Sequence, residues 1–226
     1  MKYIIGLLVF FLFILIIIIS YFSYKIEGFE DNKNKWIILL TTFVGDDESR
    51  KKIYFNSIRK WLDNTSCDIF LVESSGYSFP EFSNESRLYV YTFQQQTIKN
   101  TTHGESLSIL NILEDIKNHP KYVECTHILK VTGRYYLDGI EYALNNTDPY
   151  KDFYLQIHRY DDKKWQACEY FGIKKEYMKE FMYSITDEDV LEKKLYEFSS
   201  DKDFTTIGPF PNNVHGGGGW LYRENL

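Results

Sequence analysis

Trp36-Ile37-Ile38-Leu39-Leu40-Thr41-Thr42-Phe43 is an unbroken apolar run that gives way at once to Val44-Gly45-Asp46-Asp47. A strand with one wet face alternates apolar and polar residues; a continuous run suits a strand covered on both faces, as in a parallel sheet. Asp46 or Asp47 can cap the helix that follows. In that helix Tyr54, Ile58 and Trp61 recur at i, i+4 and i+7, while Arg50, Lys51, Lys52 and Arg59 mostly face water.

The alternation continues downstream. Cys67-Asp68-Ile69-Phe70-Leu71-Val72 reads as a second strand ending at Glu73-Ser74-Ser75-Gly76, and residues 87–93 as a third. His103-Gly104-Glu105-Ser106 opens a helix with Leu110, Leu113 and Ile116 on one face, which stops near Pro120. Thr126-His127-Ile128-Leu129-Lys130-Val131 is the fourth strand, closed by Thr132-Gly133-Arg134-Tyr135. This order predicts an α/β domain with a mostly parallel sheet flanked by helices, and ligands at the carboxyl ends of its strands. The second half is less regular. Residues 153–158 and 167–173 read as strands, and helices are expected over 175–184 and 187–199, the latter capped by Thr186. The segment from Gly208 to Trp220 reads as a loop near the chain end.

Upstream of the domain, residues 3–24 carry no formal charge and are nearly all Ile, Leu, Val, Phe or Tyr. Such a run covers the roughly 30 Å hydrocarbon core of a bilayer. A cleaved signal peptide has a shorter apolar region, about 7–15 residues, and no small-x-small pattern follows Ser20. The expected organisation is a transmembrane signal-anchor over 1–24, a polar stalk over 25–35 and one domain over 36–226. Flanking charge hardly orients the helix, because Lys2 stands against Lys25, Lys33 and Lys35 mixed with Glu27, Glu30 and Asp31. N-glycosylation sequons at Asn64, Asn84, Asn100 and Asn145 favour a type II arrangement with a lumenal or extracellular domain.

Composition narrows the function. A net charge of -6 argues against a general nucleic-acid binder. Cys67, Cys125 and Cys168 lack zinc-site spacing, which leaves one disulfide with a spare thiol or three buried thiols. No G-x-S-x-G, P-loop or H-E-x-x-H occurs, so hydrolase, NTPase and zincin readings have no support.

The most informative stretch is residues 127–137. Lys, Thr, Gly and Arg close together at a buried strand's end suit a ligand: Lys130 and Arg134 could pair with phosphate oxygens, and Gly133 permits close backbone approach. The plainer reading is a solvated strand end with two surface cations. Lys130-Val131-Thr132-Gly133-Arg134-Tyr135 resembles the K-[IVL]-[TS]-G-R-Y segment of glycosyltransferase-like proteins from bacteria and large DNA viruses. Those proteins also carry a G-E-[AS] helix start, here Gly104-Glu105-Ser106, and an aromatic E-x-F-G-like strand, here Glu169-Tyr170-Phe171-Gly172. With its anchor, the order of elements resembles GT-A, nucleotide-diphospho-sugar transferases.

The resemblance implies a GT-A-like fold and transfer of a sugar from a nucleotide-sugar donor to a glycan or glycoprotein hydroxyl. Thr42 would touch the base or ribose, or simply finish its strand. Glu73 would contact the nucleoside, or be a solvated acid. Gly104 and Glu105 would start a helix that favours an anion, although Glu105 also suits a first-turn acid stabilised by the dipole. Lys130, Thr132, Gly133 and Arg134 would meet the diphosphate. Glu169 would take the acceptor's proton, or be a paired structural carboxylate. His215 would belong to a mobile lid or a plain tail.

Many GT-A enzymes hold a divalent cation through D-x-D, but Thr132-Gly133-Arg134 occupies that place here. The pairs Asp46-Asp47, Asp161-Asp162 and Asp187-x-Asp189 each have a structural explanation, so no metal or cofactor is expected. The alternative to an enzyme is a noncatalytic membrane-anchored binding or envelope-surface module on the same fold.

Overall fold

The computed structural model describes residues 14–18, 35–96 and 100–210. The rest of the expected anchor, residues 25–34 of the stalk, and His215 lie outside the described residues. Residues 14–18 are helical and exposed, and among the described residues no helix is long and apolar enough to cross a membrane.

The domain begins with β1 (Trp36–Thr42), α1 (Glu48–Asn64), β2 (Asp68–Glu73) and β3 (Leu88–Thr92). It continues with α2 (Thr101–Ile116), α3 (Pro120–Glu124), β4 (His127–Thr132) and α4 (Ile140–Asn145). Then come β5 (Phe153–Leu155), a hairpin of β6 (Arg159–Tyr160) and β7 (Trp165–Gln166), and β8 (Tyr170–Lys174). The domain ends with α5 (Lys175–Tyr183), α6 (Leu191–Ser199) and β9 (Phe204–Thr206). The main sheet has the order β3-β2-β1-β4-β8-β5-β9. Only β8 runs against its neighbours, β4 and β5; the other pairs are parallel.

Successive residues of a strand point to opposite faces, and this explains the apolar run of β1. Ile37 and Leu39 join Phe70, Val72 and Ile128 beneath α2, α5 and α6. Ile38 and Leu40 join Ile69, Leu71, Leu129 and Val131 beneath α1 and α4. Each helix supplies the matching stripe: Ile109, Ile112, Leu113 and Ile116 from α2, and Tyr54, Ile58 and Trp61 from α1. Asp47 caps α1 by accepting from the Ser49 and Arg50 N–H groups.

The second half departs from expectation. β5 stops at Leu155, and β8 begins at Tyr170, three residues later than expected. The helix expected from 187 starts at Leu191, and Thr186 does not cap it. Asp189 Oδ2 instead accepts from both the N–H and hydroxyl of Thr186 at 2.7 Å, closing a turn that the helix cannot enter. The three cysteines are free thiols, and burial pushes those of Cys67 and Cys125 up to about 12.

At the amino end of the sheet Trp36 lies over Gly172. A Cβ there would stand 2.9 Å from the Trp36 ring and 3.0 Å from Tyr154 Cβ, so only glycine admits the indole. His127 packs beside Trp36 and Tyr154, with ring centroids at 4.9 and 5.4 Å. Its Nε2 meets the Lys151 carbonyl at 3.3 Å and its Nδ1 the Thr126 hydroxyl at 2.9 Å. Both contacts suit one neutral tautomer. Burial, helped by the Lys174 charge and opposed by the Lys151 carbonyl and Asp152, lowers His127 from 6.5 to about 4.

The sign follows from linkage. The folded value lies below the unfolded one, so His127 contributes stability in full above pH 6.5, and this is lost as pH falls through about 4. Urea denaturation is expected to show wild-type stability declining between pH 6.5 and 5, by on the order of 1–2 kcal/mol. His127→Phe should remove that decline; the same slope in both proteins would contradict the assignment.

Candidate functional site

The chain runs outward from β1 to β2 and β3, then returns to place β4 on the other side of β1. Open sheets bind ligands at such a reversal, beyond the carboxyl ends of the strands. A cleft of about 530 Å³ lies there, lined by Thr41, Thr42, Phe43 and Thr132 of the strand ends. Arg50 and Tyr54 of α1, Thr101, Thr102 and Glu105 of α2, Arg134, Glu169, and Glu192 of α6 complete much of its wall.

At the base of the cleft, Glu105 of its wall is paired with a buried ammonium. Lys130 shares strand parity with Ile128, so it points at α2 rather than at solvent. Its ammonium, with a side chain 1% exposed, lies 2.8 Å from Glu105 Oε1. It also donates to Thr132 Oγ1 at 3.3 Å and the Cys168 carbonyl at 3.4 Å. Thr41 donates to the same Glu105 oxygen at 2.5 Å. Burial acts to raise the Glu105 carboxyl, but Lys130, Thr41 and Arg134 outweigh it and hold it below the carboxylate range. Burial likewise acts to lower the Lys130 ammonium, and Glu105 more than reverses this, keeping it above its ordinary value. Lys130 is therefore not presented to a phosphate as the sequence suggested.

Three other expectations are revised. Gly104 is not at a helix start: α2 begins at Thr101, capped by Asn100, and the Gly104 N–H is already bonded to the Asn100 carbonyl at 3.0 Å. Glu105 consequently lies in the second turn. Glu73 is fully buried on the α1 side, where Val44 N, Ser75 N, Ser75 Oγ and Tyr77 N donate to it at 2.7–2.9 Å. Its carboxylate organises two loops and has no capacity left for a nucleoside. The close approach at Gly133 is to β1: its N–H donates to the Thr41 carbonyl at 2.8 Å, and a Cβ would stand 2.4 Å from Thr42 Cγ2.

Thr42 and Thr132 line the cleft but are tied into the scaffold. Thr42 Oγ1 donates to the Val72 carbonyl at 3.2 Å, and the Thr132 N–H to the Glu169 carbonyl at 2.8 Å. Arg134 is exposed, lies 5.1 Å over the Tyr135 ring, and makes no salt bridge among the described residues. Its loop is held from α1, where Ser57 Oγ and Trp61 Nε1 donate to the Tyr135 carbonyl at 2.8 and 2.9 Å. Glu169 is 9% exposed, with Oε2 accepting from Gln156 Nε2 at 3.0 Å.

Sequence reasoning passed over Arg50, Phe43 and Glu192. Arg50 faces away from the core, which reads as solvated, yet it stands in the first turn after β1, and that turn opens on the cleft. It donates to the Phe43 carbonyl at 3.3 Å and lies 5.9 Å over the Phe43 ring. The cleft is therefore lined by two guanidinium groups, Arg50 and Arg134, suited to an anion.

Among the described residues no three His, Cys, Asp or Glu side chains are grouped to hold a metal ion. Glu105 is engaged by an ammonium and a hydroxyl. Asp47 caps α1, Asp189 closes its turn, and Asp161, on the β6–β7 hairpin, accepts from Tyr196 at 2.9 Å.

No protein-family model matches the chain, and no curated protein matches it. Solved structures do. The glycosyltransferase GlyE of Streptococcus pneumoniae TIGR4 superposes with a TM-score of 0.51 at 9% identity, over 77% of this chain and 45% of that one. The chain thus spans less than half of that protein. A protein of Desulfovibrio desulfuricans G20 described as a nucleotide-diphospho-sugar transferase gives 0.48 at 10% identity, over 76% and 79%. The galactosyltransferase LgtC, solved with donor and acceptor sugar analogues, gives 0.45 at 7% identity, over 75% and 72%. At such identities the likeness to GlyE concerns the fold alone, which is mixed α/β, with a mostly parallel sheet flanked by helices, and GT-A-like.

Proposed function

We propose that this protein transfers a sugar from a nucleotide-sugar donor to a hydroxyl of a glycan or glycoprotein. Residues 3–24 would hold it in a bilayer in type II orientation, with the domain lumenal or extracellular. The observation that carries the reading is Arg134. It is an exposed guanidinium without a salt bridge among the described residues, at the end of β4 in the cleft at the sheet's reversal point. Arg50 lines the same cleft from α1. Guanidinium forks match phosphate oxygens and remain charged at any working pH.

The chemistry can be written with these groups. An acceptor oxygen attacks the anomeric carbon and forms the new C–O bond with its lone pair. The C–O bond to the β-phosphate breaks, and its electron pair leaves with the nucleoside diphosphate. Glu169 takes the acceptor's proton. Negative charge grows on the leaving diphosphate, and preorganised cations lower the barrier by meeting it there. Arg134 and Arg50 fill that role, so the transfer does not require a divalent cation. The described activity of GlyE and the GT-A-like fold support this reading.

Calorimetry with a nucleoside diphosphate should show Arg134→Ala weakening binding roughly ten- to hundred-fold, with thermal melting unchanged. Binding and transfer should survive EDTA and gain nothing from manganese. Unaltered affinity in Arg134→Ala would remove the anion site. Transfer lost in EDTA and restored by manganese would show that acids elsewhere hold a metal. Binding without any turnover would favour the noncatalytic module.

A further inference from the structure

Glu169 is fixed more firmly than a carboxylate at a cleft wall needs to be. Its carbonyl accepts from the Thr132 N–H at 2.8 Å, and the carbonyl of Cys168 before it accepts from Lys130 at 3.4 Å. Its side chain is held separately. Gln156, just beyond β5 and 3% exposed, directs Nε2 at both Glu169 Oε2, 3.0 Å away, and the Tyr170 carbonyl, 3.1 Å away. Gln156 is itself pinned, since its carbonyl accepts from Nε2 of the fully buried Gln166 at 3.0 Å. Among the described residues no donor reaches the other oxygen of Glu169, Oε1.

A buried amide with water excluded must place its N–H groups on protein acceptors. Gln156 does so in a way that uses one carboxylate oxygen and leaves one. We propose that Gln156 is the positioning residue for Glu169, fixing the carboxylate so that Oε1 is the atom that receives the acceptor hydroxyl's proton. The assignment rests on the role given to Glu169 above. The geometry is selective: Oε2 cannot accept from the acceptor hydroxyl along the direction that Gln156 occupies.

The test uses two substitutions of similar size in the full chain, with nucleoside-diphosphate affinity and melting temperature as controls. Gln156→Glu replaces the donor by a second carboxyl beside Glu169. Two such groups share a proton, so the acid limb of the kcat/KM profile should move up by about one pH unit or more. Gln156→Met removes the donor, and kcat should fall roughly ten-fold or more with KM for the sugar donor little changed. Nucleoside-diphosphate affinity should stay at the wild-type level in both variants. A Gln156→Glu profile that overlays the wild type would overturn the proposal, as would parallel losses of kcat and nucleotide affinity, which mark a general loss of structure. A wild type that binds nucleotide but transfers no sugar would remove the role of Glu169 and this assignment with it. An active wild type with an unmoved profile would remove only the assignment.

Discussion

An ammonium group whose side chain is 1% exposed must meet a counter-charge where it lies, and Glu105 of α2 meets Lys130 of β4 at 2.8 Å. Desolvation of two ions costs several kcal/mol each, so such a pair is weak evidence for stability in itself. Its effect is geometric. Glu105 is also bonded to Thr41 at the end of β1, and Lys130 to Thr132 and to the carbonyl before Glu169. One pair of charges thereby sets the relative positions of β1, β4, α2 and the segment entering β8. Removing Glu105 would leave the buried Lys130 ammonium without a counter-charge, a loss of about 3–5 kcal/mol.

The pair also decides which cations the cleft can offer. Lys130 is cancelled internally, so the positive charge available to a ligand comes from Arg134 and Arg50. Arg50 is only lightly committed: its contact with Asp47 is 3.9 Å long, and both side chains are about half exposed. Exposed pairs of that kind contribute little and yield readily to a stronger anion. The acids have the opposite arrangement. Glu73 is saturated by four donors, Glu105 is paired, and Glu169 retains one oxygen without a described donor. An exposed Arg134, a lightly held Arg50 and a carboxylate oxygen without a described donor are what the proposed diphosphate leaving group and hydroxyl nucleophile require.

The parallel half of the sheet was legible because its signals are local. Continuous apolar runs mark strands buried on both faces, and Tyr54, Ile58 and Trp61 fall on one stripe of α1. Residues 167–173 were legible as a strand, but the antiparallel insertion of β8 between β4 and β5 was not, since nothing near residues 170–174 states which strands they join. In the site the same boundary applies. Arg134 was singled out because a strand end is a local feature, and it lines the cleft. Lys130 and Glu73 were assigned to a ligand because their partners, Glu105 and the Val44 and Tyr77 backbone, are brought in by helix docking and loop closure. Gly133 was read as admitting a ligand, and the group that approaches it closely is Thr42 of β1.

A crystal structure of the protein with a bound nucleoside diphosphate tests the division of labour between the two cations most directly. The expected result is diphosphate oxygens within hydrogen-bond reach of the Arg134 guanidinium, with the Lys130 ammonium still on Glu105. Phosphate contacted by Lys130 after release from Glu105, or a nucleotide bound away from the β1–β4 reversal, would contradict it.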